Sequence, residues 1–577
     1  MTQAASIGLH NEGRRRWVGL IMLSLGLSLI IVDATIVSVA VPSIISDLGL
    51  DSTKAEWVNS VYSLVFAALL IPAGRTGDTF GRRRMYLSGL VVFVIASILA
   101  GLAGNGDILV AARILQGVGG AMILPNTTSI LNANFQGKDR AIAFGIWGAT
   151  IGGMAAVGPL IGGFVTSYLS WRYAFYINIP FGAFAFAGTL YYIRESRDEH
   201  GRIGFDFPGF LLVTFGLGSV VFGLIEGRNY GWWAPMKAYT VLGFEWPSDA
   251  ISVTPFSLGM GALALVLFAI VERNRKRRDA FILMDFSLWT DRAFRYGNLA
   301  GTIVSLGEFG ILFALPLFFT GVLGYSAFQT GLAFLALALG SFFSAGGAAP
   351  LSKARGPRSV VRIGMAMETI GIAGTVLLLS RDTSGWILAT PLFIYGMGVG
   401  FASAQLTSIT LSRVPVQRSG LASGANTAMR QVGSALGIAI LGTVLFSTLV
   451  STSDANIKST VPQASETCRA LLVDLVDTTA GQILPAFKNP SAGTPEGMPS
   501  GTLPADQAAC FRDPNFTGAL PKAALAIEDG FVTSARIMGL TAATFVFVGF
   551  VLTLLLPADV RREEDPEPQS EPEPVSV

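Results

Sequence analysis

Residues 117 to 130 read GVGGAMILPNTTSI and residues 396 to 409 read GMGVGFASAQLTSI, with glycine at the first and third places of both and the same last three residues. The turns GRTGDTFGRRR (74–84) and PLSKARGPRS (350–359) are also similar, since each contains glycine together with a cluster of basic residues. The two halves of the chain therefore share one plan. Repeated bundles with a site between them at mid-membrane are the architecture of secondary transporters.

Composition places the chain in the membrane. Of its 577 residues 51% are hydrophobic and only 14% are charged, and the mean hydropathy is +0.57. Long apolar runs recur throughout and predict an all-α polytopic protein. The fourteen predicted spans are 17–41, 55–73, 85–104, 107–131, 141–165, 173–193, 207–226, 252–272, 296–320, 328–350, 360–380, 386–411, 420–449 and 532–556. Because 207–226 and 252–272 have no counterpart in the repeat, we interpret them as a pair inserted between two six-helix bundles.

The basic residues predict the orientation. The clusters GRRR (81–84), RNRKRR (273–278) and KARGPR (353–358) all fall on one side, which the positive-inside rule makes cytoplasmic. Both termini then lie in the cytoplasm, and the first span is a retained helix because it lacks a cleavage site. The predicted regions are a tail (1–16), the first bundle (17–193), the inserted pair with a basic linker (194–285), the second bundle (286–556) with an extracytoplasmic loop (450–531), and an acidic tail (557–577).

The only two cysteines, Cys468 and Cys510, both fall in that long loop. Oxidising surroundings would permit a disulfide there, which would be worth about 4 kcal/mol in the chain-entropy model. The alternative is that both cysteines are free thiols in a flexible loop.

Five charged residues lie more than five residues from either end of a predicted span, where each costs roughly 2.5 to 3.5 kcal/mol to insert. They are Asp33, Arg113, Glu308, Glu368 and Arg430. No histidine lies in a span, so a proton carrier would have to be a carboxylate. Asp33 could instead be a permanently paired structural acid, the two glutamates could face water without titrating, and Arg430 could snorkel near its helix end.

The fifth span contains VGPLIGG (157–163), which a water-exposed helix would tolerate poorly because of its proline and glycines. Gly158 and Gly162 form a GxxxG pair, Gly163 follows, and Pro159 can bend the helix near its outer end. The pattern predicts a close helix contact, and a tight packing face without further function is the plainer reading.

These segments resemble the major facilitator superfamily, in particular its fourteen-span drug:proton antiporter branch, which includes exporters of quaternary ammonium compounds. The first-span stretch VDATIVSVAVP is similar to the signature of that branch, with Asp33, Thr35 and Pro42 in matching places. RILQGVGGA matches the motif whose arginine, here Arg113, the family links to proton transfer. SWRYAFYINIPFG (170–182) resembles the turn between the fifth and sixth spans.

Two further motifs carry the resemblance. The inner turn is similar to the loop motif of the superfamily and matches it at Gly74, Gly77, Asp78, Gly81, Arg82 and Arg83. Asp78 can accept hydrogen bonds from helix-end amides or pair with a nearby arginine, and such a charge latch would be made in one conformation and broken in another. The latch would thereby bias the equilibrium between the two conformations. Two positions depart from the pattern: Arg75 replaces a usually apolar residue, and Lys353 stands where an acid would align. VGPLIGG resembles the antiporter motif, which exporters carry.

The resemblance implies a proton-coupled antiporter that exports amphiphilic or cationic compounds by alternating access across the cytoplasmic membrane. Asp33 and Arg113 would couple protons, and Glu308 and Glu368 would form a second proton or substrate site. The expected partners are a small amphiphilic molecule, protons and the bilayer, without nucleic acid, metal or cofactor, and we expect a monomer that is not an enzyme. Export of an endogenous lipid or secondary metabolite, nutrient symport, sodium coupling and a non-transporting receptor stay open as alternatives.

Overall fold

The computed structural model describes residues 2–50, 52–197, 204, 206–241, 244–247, 251–478, 484–488, 509–512 and 514–557. The acidic tail expected at 557–577 therefore lies almost wholly outside the described residues. The described chain is helical except for one short antiparallel hairpin, in which Thr240 pairs with Glu245 and Val241 with Phe244. The prediction of an all-α membrane fold is confirmed.

The described residues of the first half of the chain form nine helices. They are α1 (Thr2–Leu48), α2 (Ser52–Phe80), α3 (Arg82–Gly101), α4 (Gly106–Asn134), α5 (Gly137–Tyr168), α6 (Tyr173–Tyr176), α7 (Asn178–Tyr192), α8 (Phe207–Tyr230) and α9 (Val253–Arg277), with the strands β1 (Thr240–Val241) and β2 (Phe244–Glu245) between the last two. The sixth predicted span is interrupted, because a one-turn helix precedes α7.

The second half forms eight further helices among the described residues. They are α10 (Arg292–Gly321), α11 (Ala327–Arg355), α12 (Pro357–Leu377), α13 (Gly385–Thr410), α14 (Ser419–Thr460), α15 (Glu466–Thr478), α16 (Leu484–Lys488) and α17 (Pro514–Thr553). Short 3₁₀ turns at Phe286–Thr290 and Val416–Arg418 precede α10 and α14.

Twelve described helices are long and apolar enough to cross a membrane. The other two of the fourteen predicted spans are α5 and α11, with 32 and 29 residues. Since a residue in a helix advances about 1.5 Å, both are long enough to cross the roughly 30 Å hydrocarbon layer.

Polar residues mark where several of these helices begin. The Asn105 side chain accepts the Ile108 N–H at the start of α4, and Asp291 accepts the Phe294 N–H at the start of α10. Ser326 and Gln329 form a reciprocal capping box at the start of α11. These caps satisfy N–H groups that a helix leaves without partners, which otherwise cost free energy near the membrane.

Two bundles result, joined along two seams. Helices α1 to α7 form the first bundle, and α10 to α14 with α17 form the second. One seam brings α2 against α14, and the other brings α5 against α11 and α13. The inserted pair covers the first seam, where Val221 and Leu224 of α8 pack with Ala67 of α2 and Ala435 of α14. We call the side of the α2–α3 turn the inner side, following the predicted orientation.

The long loop predicted at 450–531 is partly helical. Helix α14 continues to Thr460 and α17 begins at Pro514, so both extend beyond their predicted spans. A disulfide joins Cys468 to Cys510, 42 positions apart. Leu471, Phe487 and Phe516 are buried in the same cluster as the outer part of the second bundle. The described parts of the loop therefore form a packed cap, because amphipathic α15 supplies apolar residues that the composition of the whole segment conceals.

Candidate functional site

Asp33 lies in the middle of the first bundle and is fully buried. Its Oδ2 atom accepts a hydrogen bond from Arg113 Nη1, and this contact is also an ion pair. Its Oδ1 atom accepts hydrogen bonds from Gln116 Nε2 and Asn178 Nδ2, both at 2.9 Å. Helices α1, α4 and α7 thus meet at one carboxylate.

Two other helices complete this network. Ser97 of α3 accepts hydrogen bonds from Gln116 Nε2 at 2.9 Å and from Asn178 Nδ2 at 3.1 Å. From α2, the Val58 carbonyl accepts the Arg113 Nε hydrogen at 3.0 Å, and the Arg113 guanidinium lies 4.4 Å from the centre of the Tyr62 ring. The spacing i, i+3 places Arg113 and Gln116 on one face of α4, and Gln116 Oε1 accepts from Arg113 Nη1.

The hydrogen-bond geometry around Asp33 fits the ionised form of its carboxyl group. All three partners of Asp33 donate hydrogens to it, and an arginine side chain has no acceptor. A protonated Asp33 would have to donate one hydrogen. At least one of these contacts would then break, or the side-chain amide of Gln116 or Asn178 would have to rotate so that its oxygen faces Asp33. Such a change would also leave Arg113 buried without a counter-ion, which is costly in a bilayer. This one carboxylate and its partners therefore join five helices.

The inner ends of the two bundles are held together by Asp78 of α2. Its Oδ1 atom accepts from the Gly420 N–H at 2.9 Å and from both Arg82 Nε and Nη2, and its Oδ2 atom accepts from the Leu421 N–H at 2.9 Å. A carboxylate at the first turn of α14 is favoured by the partial positive charge of the helix N-terminus. The inner side is closed in this conformation.

Glycines make that closure possible. A Cβ atom at Gly74 would lie 2.5 Å from the Gly420 carbonyl oxygen, which is closer than atoms can approach. Gly81, at the turn between α2 and α3, has φ +117°, a backbone conformation that side chains strongly disfavour. The Glu195 carboxylate lies against it and accepts the N–H groups of Arg83 and Arg84 at 3.0 and 3.1 Å. Arg83 also donates to the Ile193 carbonyl at 3.0 Å, so the turn is anchored to the end of α7.

The linker before α10 also crosses the inner side. Arg75 Nε donates to the Ile282 carbonyl at 3.1 Å, and its guanidinium lies 4.7 Å from the Phe281 ring. Asp285 pairs with Lys276 of α9 at 2.5 Å and with Arg418 at 2.6 Å. Burial tends to raise the pKa of Asp285, but hydrogen bonds from Lys276 and Ser287 outweigh burial and lower it. The basic residue at position 75 thus holds the linker to α2.

A second group of charges lies in the second bundle, where Glu308 and Glu368 are buried. Arg430 Nη2 lies 3.6 Å from Glu308 Oε2, and Ser403 Oγ donates to Glu308 Oε1 at 3.2 Å. Glu368 interacts electrostatically with Glu308 and Arg430, but both of its buried oxygens have no hydrogen-bond partner among the described residues. Two buried carboxylates near each other repel when both are ionised.

The stretch VGPLIGG lies between two helices. A Cβ atom at Gly158 would lie 1.7 Å from Thr35 Oγ1 of α1, and one at Gly162 would lie 3.3 Å from the Ile36 Cα atom. On the other side, a Cβ at Gly331 of α11 would lie 2.7 Å from the Leu160 Cα atom. Gly163 is buried, and the side chain of Pro159 lies outside the described residues. The motif packs α5 against α1, within one turn of Asp33.

The motif at 170–182 closes the outer end of α1. Trp171 Nε1 donates to Asp47 Oδ2 at 3.0 Å, and Arg172 Nη1 donates to the same oxygen at 2.6 Å. These hydrogen bonds, that of Arg172 first, lower the pKa of Asp47. In the same motif Asn178 begins α7 and contacts Asp33.

Some residues at these sites are uncharged or lie at span ends and were not singled out from the sequence. They are Tyr62, Ser97 and Asn178 around Asp33, Ser403 beside Glu308, and Glu226 near the end of α8. Asn178 stands in a recognisable motif, which offered one signal. Ser97 and Ser403 resemble any other small polar residue of a membrane helix, so the sequence offered none.

Comparisons with known proteins place the chain among transporters. The model of the Major Facilitator Superfamily matches residues 23–438. Puromycin resistance protein pur8 of Streptomyces alboniger is 34% identical over 437 residues, which cover 74% of this chain and 82% of that protein. The multidrug resistance protein Stp of Mycobacterium tuberculosis (strain CDC 1551 / Oshkosh) is 31% identical over 468 residues, covering 81% and 82%.

Two further similarities extend this picture. A probable actinorhodin transporter of Streptomyces coelicolor is 33% identical over 465 residues, covering 77% of this chain and 75% of that protein. The crystal structure of the human organic anion transporter MFSD10 (TETRAN) matches with a TM-score of 0.53 at 15% identity, covering 74% of this chain and 93% of that one. At that identity the likeness concerns the fold alone.

Proposed function

The chain belongs to the major facilitator superfamily, and from that premise we propose that it is a proton-coupled exporter of amphiphilic or cationic small molecules. Alternating access by the two bundles would carry the substrate across the cytoplasmic membrane, with both termini in the cytoplasm. The chain would act as a monomer that needs the lipid bilayer and an ion gradient.

The observation that carries the proposal is the donor-only surrounding of Asp33. In the ionised state the carboxylate holds α1, α4 and α7 together through Arg113, Gln116 and Asn178. A proton arriving from outside neutralises Asp33 and releases Arg113, which weakens this packing. Proton binding and bundle movement are thereby coupled, since a ligand shifts a conformational equilibrium only through its differential affinity for the two states.

The cycle follows from this coupling. Substrate enters from the cytoplasm or inner leaflet while Asp33 is deprotonated, and the latch at Asp78 closes the inner side as the substrate passes outward. Protonation from outside then favours substrate release and resets the cycle. Glu308 and Glu368 would form a second proton or substrate site, because both are buried near Arg430 and two ionised carboxylates there would repel each other.

The direction of transport rests on two supports. The relatives are named for puromycin resistance and multidrug resistance, and these names describe those proteins. The VGPLIGG stretch resembles the antiporter motif of exporters. It packs within one turn of Asp33, so the motif that favours export lies next to the proposed proton site. A second candidate function is export of a secondary metabolite, favoured by relatives named for actinorhodin transport and for tetracenomycin C resistance and export.

The test uses inside-out membrane vesicles in which dye accumulation and lumenal pH are followed together as candidate cations are added. We expect a cationic dye to accumulate and protons to leave the lumen in the same experiment. Asp33→Asn should abolish both signals, because asparagine keeps the shape of the side chain but cannot bind a proton.

Ser28→Ala is the matched control on the same helix, since Ser28 Oγ donates only within α1, to the Ser24 carbonyl at 2.9 Å. It should leave both signals intact. Normal accumulation and proton movement by Asp33→Asn would refute the coupling role. If the unaltered protein stops accumulating the dye when only sodium is removed, the coupling ion is sodium and not the proton.

A further inference from the structure

A carboxylate near the outer end of α8 has no part in the sites described so far. Glu226 is only 2% exposed. Asn229 Nδ2 donates to its Oε2 atom at 2.9 Å, whereas Oε1 is buried and accepts no hydrogen bond among the described residues. A buried carboxylate with a free oxygen costs several kcal/mol unless a cation or proton compensates it. A positive charge bound near the Glu226 carboxylate would therefore stabilise it.

Aromatic rings surround this carboxylate. Phe222 and Tyr230 lie four residues before and after Glu226, so the three side chains share one face of α8. The Tyr239 ring, on the loop after α8, lies 5.6 Å from the Phe222 ring and 5.0 Å from the Tyr230 ring. On α2, Trp57 stacks on Phe222 at 6.0 Å. Burial, and then the negative charge of Glu226, raise the pKa of the Tyr239 phenol.

A cavity opens next to the rings on the outer side. It has a volume of about 520 Å³, and Tyr230, Tyr239 and Trp246 are among the residues that line it. Small-molecule pockets measure roughly 300 to 1,000 Å³. Lys237 and Glu245 also line the cavity and contribute one charge of each sign. Tyr230 and Tyr239 belong both to the cavity wall and to the aromatic cluster on the Glu226 face of α8, whereas Glu226 itself does not line the cavity. A molecule in the cavity would therefore contact these two rings, with the carboxylate behind them.

The chemistry of these groups selects the ligand. Aromatic faces attract a desolvated cation, and a single carboxylate balances one positive charge. One carboxylate without further oxygen ligands does not form a divalent metal site, since such ions take six or more oxygens. The faces of the rings accept no N–H hydrogen bonds of ordinary strength, so the three N–H donors of a primary ammonium group would compete for the few oxygens of Glu226, Tyr230 and Tyr239. This shortage favours a cation without N–H donors. A quaternary ammonium or phosphonium compound has these properties.

We propose that Glu226, Phe222, Tyr230 and Tyr239 form an outer binding site for a monovalent organic cation. The site rests on the inserted helices and deepens the proposed function, because it gives a cationic substrate a second place to bind near the outer side. It is linked to the proton site through consecutive residues of α2. Trp57 contacts Phe222, and the carbonyl of Val58 accepts the hydrogen bond from Arg113 Nε.

The test measures equilibrium binding of radiolabelled tetraphenylphosphonium to the full-length protein in lipid nanodiscs. We expect Glu226→Gln to weaken binding at least about tenfold, because glutamine keeps the size of the side chain and removes its charge. Tyr239→Leu should weaken binding severalfold, whereas Tyr239→Phe should keep the affinity, since phenylalanine retains the aromatic face. Neutral triphenylphosphine oxide should not compete.

Asp382→Asn is the control, because Asp382 is an exposed acid in the turn before α13 and does not line the cavity. It should change the affinity less than about twofold, as expected for a screened surface charge. Thermal unfolding of every variant checks that it is folded. Binding by Glu226→Gln that equals the unaltered protein would overturn the proposal and leave Glu226 as a protonated structural acid, as would equal losses from Tyr239→Leu and Tyr239→Phe.

This result is separable from the proposed function. Asp33→Asn should bind tetraphenylphosphonium with the affinity of the unaltered protein at this site while failing to export it. If Asp33→Asn exports normally, the coupling proposal fails and the binding data at Glu226 stand. If the unaltered protein binds the cation at Glu226 but does not transport it, the export proposal fails and the site stands.

Discussion

At the scale of single residues, the two acids of the second bundle differ in their surroundings. Glu308 faces Arg430 and Ser403, whereas neither Glu368 oxygen has a hydrogen-bond partner among the described residues. The single positive charge of Arg430 balances one carboxylate, so the pair is electrically neutral when Glu308 is ionised and Glu368 is protonated. The two residues, which look equivalent in the sequence, therefore have different expected roles.

Glu368→Gln should give a folded protein that moves fewer protons for each substrate, by about one, because glutamine imitates the permanently protonated acid. Glu308→Gln should be more harmful and lower the amount of folded protein, since it leaves Arg430 without its counter-ion. The measurements are proton and substrate fluxes in proteoliposomes and the yield of monodisperse protein. Equal flux ratios for Glu368→Gln and the unaltered protein would exclude Glu368 as a proton carrier.

At the scale of helices, the contact of α1 with α5 has no space for a side chain at position 158. Gly158→Ala would force α1 and α5 apart, because the new Cβ would lie 2.8 Å from Thr35 Cβ and closer still to its hydroxyl. Overpacking of this kind costs typically 1–3 kcal/mol. Since Thr35 lies two residues from Asp33, we expect severalfold slower ethidium efflux from intact cells with normal membrane insertion.

Gly153 provides the matched control on the same helix, because a Cβ atom there would meet nothing within 4 Å. Gly153→Ala should export at the normal rate and insert equally well by immunoblot of membranes. If Gly158→Ala and Gly153→Ala export alike, the motif acts only as a tolerant packing face and has no role in the cycle.

At the scale of the whole molecule, one carboxylate and one linker join the two halves on the inner side. Asp78 holds the start of α14, and Arg418, two residues before Gly420, holds Asp285 of the linker. Asn132 of α4 adds a hydrogen bond to Ser419 at 2.8 Å. These contacts exist only while α2 and α4 lie against α14, so they stabilise the inner-closed conformation relative to the inner-open one.

Asp78→Asn should shift the molecule toward the inner-open conformation, since the asparagine amide would place a donor against a backbone N–H. Ser423 of α14 is buried beside this seam, and the native cysteines are paired. A cysteine introduced by Ser423→Cys would therefore report opening through its reaction with an impermeant maleimide in inside-out vesicles. We expect the labelling rate to rise about tenfold, equivalent to about 1.4 kcal/mol.

Asp139→Asn serves as the control, because Asp139 is a partly exposed acid of the same side that pairs with Arg16. It should leave the labelling rate of the introduced cysteine unchanged. An unchanged rate in Asp78→Asn as well would mean that the latch does not govern closure.

The sequence by itself determined the membrane class, the helical fold, the number of spans and the superfamily. These properties follow from local composition, since every run of about 20 apolar residues must cross the bilayer as a helix to satisfy its own backbone. Asp33 and Arg113 could be singled out for the same reason, because a charge in an apolar run is visible without its partners. Their roles in proton coupling stay predictions.

Only the tertiary structure decided which groups meet. Asp33 contacts Asn178, 145 positions away, and Asp78 contacts the Gly420 N–H, 342 positions away. No local pattern encodes such pairs, because they depend on how whole helices pack. The same holds for Arg75, which departs from its motif yet binds the linker, and for Glu226, which stands at a span end. Its free oxygen and surrounding rings appear only when α8, α2 and the outer loop come together.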